Sequence, residues 1–110
     1  MKLRLLFISS IVVSVSVSVI WAGDVGAGKE AFSKKCASCH GLSGEGKDSI
    51  AKMMKIEMRH LGSKEVQGKS DADFKKIILE GGGKMKPVKD IDAKTADDIV
   101  SYLRTLSDKK

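Results

Sequence analysis

With 110 residues, the chain has the size of one small domain. Its 20 basic side chains outnumber 14 acidic ones for a net charge of +6. The acids are scattered among the lysines and no aromatic residues interleave with them, which speaks against a nucleic-acid-binding surface. One Trp, one Tyr and three Phe are a poor set of core-builders, so the protein part alone struggles to bury enough apolar surface.

Residues 1–22 have the three parts of a secretory signal peptide. Lys2 and Arg4 form a basic start, residues 5–20 are an uncharged apolar run diluted by serines, and Ala22-Gly23 supplies small residues for cleavage. Cleavage after Ala22 is preferred, with Ala27 the second choice. The competing reading is an uncleaved anchor, since a run this long sits at the short edge of what spans a bilayer. Cleavage leaves residues 23–110 as the functional domain, and losing two basic residues brings the net charge to +4. An exported protein of this kind is expected in the periplasm, without stable membrane insertion.

Residues 24–27 read as a flexible lead-in and residues 28–38 as the first helix, with Ala31, Phe32 and Lys35 on the face near Cys36 and Cys39. Gly28 either permits close approach of another helix or belongs to the preceding loop. Cys36-Ala37-Ser38-Cys39-His40 is a C-x-x-C-H motif, the signature of c-type haem attachment. Two thiols one helical turn apart can add to the two vinyl groups of one porphyrin, and the following histidine can give an imidazole nitrogen to the iron. A C-x-x-C pair also serves thiol redox and zinc sites, so these readings stay open at this point.

Residues 41–48, with three glycines, are a loop. The spacing predicts a short helix over residues 49–54, an extended segment after it, and a turn over residues 63–67. Ser70 followed by Asp71 and Asp73 is a helix start, Phe74, Ile77 and Ile78 make its apolar stripe, and Gly81 stops it. Residues 81–87 form a glycine-rich loop ending in Pro87, the single proline. The last helix is predicted over residues 95–106, with Thr95 as N-cap and Ile99, Tyr102, Leu103 and Leu106 on its apolar face. The expectation is an all-α fold of about four helices and no sheet.

Met85 is the preferred second axial ligand. It lies 45 residues after His40, enough chain to wrap a ring, and its thioether is a soft ligand that favours ferrous iron. His60 and the sulfurs of Met53, Met54 and Met58 are the alternatives.

With these residues in place, residues 23–110 resemble small bacterial class I cytochromes c. The resemblance rests on Cys36-Cys39-His40, on Gly28 and Phe32 in the first helix, on Ile99 and Tyr102 in the last, and on Gly83-Lys84-Met85. It implies a cytochrome c-like fold around one covalently bound haem c, thioethers at Cys36 and Cys39, and His40 and Met85 on the iron. It also implies a close crossing of the first and last helices. Two departures stand out: Lys86 separates Met85 from Pro87, and no proline follows the haem motif. A carbonyl near Ser49–Ile50 is therefore expected to orient His40.

The resulting functional reading is a soluble, exported, monohaem electron carrier rather than an enzyme: a monomer passing single electrons between redox proteins. Lys34, Lys35, Lys84 and Lys86 are candidates for steering partners with acidic docking surfaces. The rival readings are a haem-based sensor or peroxidase-like protein with an open sixth site, a thiol–disulfide oxidoreductase using Cys36 and Cys39, and a zinc site that adds His40 and His60 to these cysteines.

Overall fold

The computed structural model describes residues 11–15 and 23–108. Most of the leader expected over residues 1–22 therefore lies outside the described residues. Among the described residues no helix is long and apolar enough to cross a membrane.

Among the described residues six helices follow in order: α1 (Val25–Lys35), α2 (Ala37–His40), α3 (Asp48–Met54), α4 (Lys64–Gln67), α5 (Asp71–Glu80) and α6 (Ala93–Thr105), with a 3-10 turn over Leu106–Asp108. The described residues hold no strand beyond a single bridge between Gly82 and Met85. The all-α expectation holds. The two helices beyond the expected four, α2 and α4, are four residues each, too short to leave a periodic pattern in the sequence.

Helix starts follow local side-chain chemistry. Ser70 accepts from the Asp73 N–H at 3.1 Å and starts α5 where predicted. α1 begins three residues earlier than expected, because the Asp24 carboxylate accepts from the Ala27 N–H at 3.1 Å and turns the presumed lead-in into a first helical turn. α6 likewise begins at Ala93: Asp92 accepts from the Thr95 N–H at 2.8 Å, so Thr95 sits inside the helix and is not its cap. Two good cap residues three apart competed, and the first one took the role.

α6 is the centre of the fold. It packs against α1 on one side and α5 on the other. Ala96, Ile99, Val100, Tyr102, Leu103 and Leu106 are buried along it, joined by Phe32 from α1 and by Phe74 and Ile78 from α5. The α1–α6 crossing is made at Gly28. A Cβ there would stand 1.9 Å from the Asp98 carbonyl oxygen, so only glycine lets the two backbones meet. One turn later Phe32 and Tyr102 pack with ring centroids 5.2 Å apart and planes tilted by 59°. This is the crossing that the resemblance implied.

Two polar ties fix α6 further. The buried Asp98 carboxylate accepts from the Asp24 N–H at 2.8 Å and pairs with the Lys94 ammonium at 3.1 Å. At the other end Arg104 donates to Asp71 and to the Gln67 and Lys69 carbonyls, with its guanidinium 4.7 Å from the Phe74 ring centre. Gln67 in turn donates to the Leu61 and Leu103 carbonyls, both at 2.9 Å. The segment between α3 and α5 is thereby held on α6 by hydrogen bonds.

Gly28→Ala should destabilise by about 2 kcal/mol through overpacking, lowering the thermal midpoint by about 8–16 °C. The Asp24 N–H, with help from Lys94, holds the Asp98 carboxyl below the usual aspartate range. A depressed folded pKa contributes stability above the ordinary value of about 3.9, lost as the pH falls through the folded value. Asp98→Asn should therefore lower the midpoint by about 4–8 °C at pH 7, with the gap to wild type closing at the acid end of a melting series.

Candidate functional site

Cys36 ends α1, and the chain immediately rewinds into α2. The Cys36 N–H donates to the Phe32 carbonyl at 2.8 Å, and the Cys36 carbonyl accepts from the N–H groups of Cys39 and His40 at 3.2 and 3.0 Å. This single turn is what sets both thiols and the imidazole side by side. The loop after α2 then folds back to cover its end. The Gly46 N–H reaches the His40 carbonyl at 2.6 Å, and the Lys47 N–H reaches that of Cys39 at 3.2 Å. Glu45 accepts from the Ser43 N–H at 2.9 Å, and its own backbone N–H together with that of Ser43 holds its carboxyl below the usual range. From α6, the Tyr102 hydroxyl donates to the Leu42 carbonyl at 3.2 Å and pins the loop to the crossing.

The second part of the site follows α5. Gly82 and Met85 exchange two backbone hydrogen bonds, of 3.0 and 2.9 Å, across a two-residue turn. Gly83 takes the first corner at φ +55, a conformation open to glycine. The turn is rooted on α5 at both ends: the Gly81 N–H donates to the Ile77 carbonyl and the Val88 N–H to that of Ile78.

The two parts face a common cleft of about 920 Å³, near the top of the range of about 300–1,000 Å³ for cofactor and small-molecule sites. Cys36, Cys39, His40 and Met85 all line it, as do Phe32, Ile99 and Leu103 from the core. The lining is largely apolar, with the basic residues Lys35, Arg59, Lys69, Lys84, Lys86 and Lys89 and the single acid Glu57. Met53, Met54 and Met58 also line the cleft; Met53 is 71 % exposed. His60 does not line it. Its Nδ1 accepts from the Gly62 N–H at 2.8 Å, a local turn contact.

The electrostatics suit a cofactor better than a thiol reaction. Burial, reinforced by Cys39, pushes the Cys36 thiol up to about 11. A reactive cysteine needs the reverse, a stabilised thiolate. Burial also lowers the His40 pKa, keeping the imidazole neutral, as a metal ligand must be. His40 Nδ1 is buried without a hydrogen-bond partner. The carbonyl expected near Ser49–Ile50 does not reach it, because those residues are already wound into α3. Among the described residues no three His, Cys, Asp or Glu side chains converge as a metal-ion site, so the zinc arrangement with His60 is not assembled. An apolar cleft with two sulfurs, a neutral imidazole and several thioethers is a donor set that fits haem.

The lysines named from the sequence divide. Lys34 pairs with Glu30 at 3.0 Å on the exposed face of α1, and Lys84 donates to the Met54 carbonyl at 2.6 Å. Lys35 and Lys86 lie along the cleft. Sequence reasoning missed the Lys84 contact and the role of Arg104. Both end on backbone carbonyls, which every residue carries and no sequence pattern marks.

The family model described as Cytochrome c matches residues 25–107. The chain is 31 % identical over 91 residues to cytochrome c-554(547) of Halothiobacillus neapolitanus, covering 77 % of this chain and 99 % of that protein. In fold it is similar to the solved KustC0563 c-type cytochrome. The TM-score is 0.62 at 24 % identity, covering 72 % of this chain and 95 % of the other.

Tyr102→Phe keeps the ring on Phe32 and deletes the bond to Leu42. It should cost about 1 kcal/mol, or about 4–8 °C in thermal midpoint. Amide hydrogen exchange should accelerate at Gly46 and Lys47, and a midpoint equal to wild type with unchanged exchange there would show that the hydroxyl does not hold the loop.

Proposed function

The chain belongs to the cytochrome c family, and on that premise we propose that it is an exported, soluble, monohaem electron carrier and not an enzyme. The observation that carries this reading is the convergence of Cys36, Cys39, His40 and Met85 on one apolar cleft. In it, the Cys36 and Cys39 sulfurs would hold one haem c by thioether bonds, and His40 and Met85 would bind its iron. Haem iron supplies one-electron chemistry between its ferrous and ferric states.

The protein's own residues set the terms of that chemistry. His40 is kept neutral by burial, ready to ligate without first losing a proton. The Met85 thioether is a soft donor and, as an iron ligand, would favour the ferrous state and raise the potential. With His40 and Met85 both holding the iron, no position would be left on it for a substrate, so the site would pass electrons and not transform a bound molecule. The largely apolar lining would lower the dielectric around the group, a further control on potential.

Export by a leader over residues 1–22 and residence in the periplasm belong to the same proposal. The fold supports cleavage after Ala22 over cleavage after Ala27. Asp24 caps α1 and ties it to Asp98, so removal through Ala27 would strip the cap and the first turn. As redox partners we propose proteins with acidic docking surfaces, met by a monomer through the basic residues along the cleft, Lys35 and Lys86 foremost.

The test is the absorption spectrum of the exported protein, ferric and then reduced with dithionite. Sharp split visible bands on reduction, colour that survives acid–acetone extraction and a weak far-red sulfur-to-iron band in the ferric form are expected. Met85→Ala should abolish the far-red band and lower the reduction potential. Covalent haem that is high-spin in the wild type would instead move the function to ligand sensing or peroxide chemistry. A colourless protein with titratable thiols would overturn the haem reading.

A further inference from the structure

The Met85 turn is rooted on α5 at both of its ends, whereas α3, which contributes Met53 and Met54 to the same cleft, carries no buried residue. Little side-chain packing therefore fixes α3 in place. Among the described residues, one hydrogen bond joins the turn to α3: the Lys84 ammonium donates to the Met54 carbonyl at 2.6 Å, across 30 positions of chain. The acceptor is well chosen. Met54 is the last residue of α3, and the helix end leaves its carbonyl without a backbone donor. Lys55 caps that end in the left-handed conformation and sends its own N–H to Ala51 and Lys52 instead. A cation at a helix C-terminus also meets the negative end of the helix dipole.

We propose that Lys84 is a positioning residue: its bond to Met54 ties the Met85 turn to α3 across the cleft and holds the Met85 sulfur in place against displacement. The proposal rests on the reading of Met85 as an iron ligand. Lys84 follows directly on Gly83, the flexible corner of the turn, and directly precedes Met85, so a restraint on its side chain acts on the ligand's own backbone. Released from Met54, the turn keeps its roots on α5 but loses its hold on the other lip. The Met85 sulfur then leaves more often, and an external ligand finds the sixth position open for a larger fraction of the time. The exposed ammonium thus has a task apart from meeting partners.

The experiment is imidazole binding to the ferric holoprotein, followed by loss of the far-red sulfur-to-iron band. Imidazole is a neutral ligand at alkaline pH, so its entry is little affected by a change of surface charge. Lys84→Met keeps the length of the side chain and removes the donor; imidazole should bind it about five- to tenfold more tightly than wild type. Lys84→Arg can still donate to the Met54 carbonyl and should stay within about twofold of wild type. Lys52→Met removes a charge from the same end of α3 without touching the bond, and it should also stay within about twofold. If Lys84→Met binds imidazole as wild type does, or if Lys52→Met matches it, the tie is not what holds Met85 and the proposal fails. These outcomes leave the Met85 assignment standing, because the far-red band is present in the unliganded wild type. A wild-type ferric protein without that band overturns both.

Discussion

The contact between Gly28 and the backbone of Asp98 is the constraint on which the rest of the molecule depends. Two helices can approach this closely only where one of them has no side chain, and the Asp98 oxygen lies where a Cβ would stand. The crossing fixes the direction of α1, and therefore where α1 delivers Cys36. Since Cys36 is followed at once by the turn that carries Cys39 and His40, the location of three of the proposed haem-binding residues is set by a glycine eight residues upstream. Phe32 and Tyr102 lock the angle, and Asp98 gathers the first residues of the helix by accepting from Asp24. Each of these contacts joins residues near the beginning and the end of the domain, so the crossing also closes the chain on itself.

α6 carries the geometry from this crossing to the other half of the site. Its partner on the far side is α5, and the Met85 turn grows from the end of α5. The two halves are thus positioned through a shared rigid element, with Ile99 and Leu103 of α6 lining the cleft between them. What is not positioned this way is α3. It has no buried residue, and it belongs to the same cleft through Met53 and Met54. Two sides of the cleft are thus set by core packing, and the third, α3, by little side-chain packing.

Much of this was legible in the sequence because the relevant signals are local. C-x-x-C-H fits within one helical turn, Ser70 announces α5 within three residues, and the spacing of Ile99, Tyr102, Leu103 and Leu106 repeats the helical period. Where the reading missed, a local competition or a distant acceptor was responsible. Asp92 and Thr95 are both good caps, and nothing in their identities says which acts. Asp24 looked like lead-in because the helix it starts has a glycine-rich first turn with little apolar pattern. Arg104 and Lys84 bond to carbonyls more than 29 positions away, and the His40 ring lacks the carbonyl that a following proline segment supplies in the family pattern. The residues proposed for the site could be named from sequence; the bonds that hold them could not.

The cleft also resolves the composition. A chain with so few aromatic residues buries Phe32, Phe74 and Tyr102 together in one cluster around α6, and still leaves a largely apolar surface facing a space of about 920 Å³. Apolar surface of that kind is costly in water, at about 25 cal/mol per Å². A flat apolar group seated there would cover the sulfurs, the imidazole and the core side chains at once. It would also give α3 the packing surface that the polypeptide does not provide. Folding and cofactor attachment are then coupled in one direction. The α1–α6 crossing, α5 and the roots of the Met85 turn are held by protein contacts, while α3, with no buried residue, would gain its packing from the group. Attachment through the two thioethers proposed at Cys36 and Cys39 would make that gain permanent, a physical advantage of a covalent haem for a small domain with so few aromatic core residues.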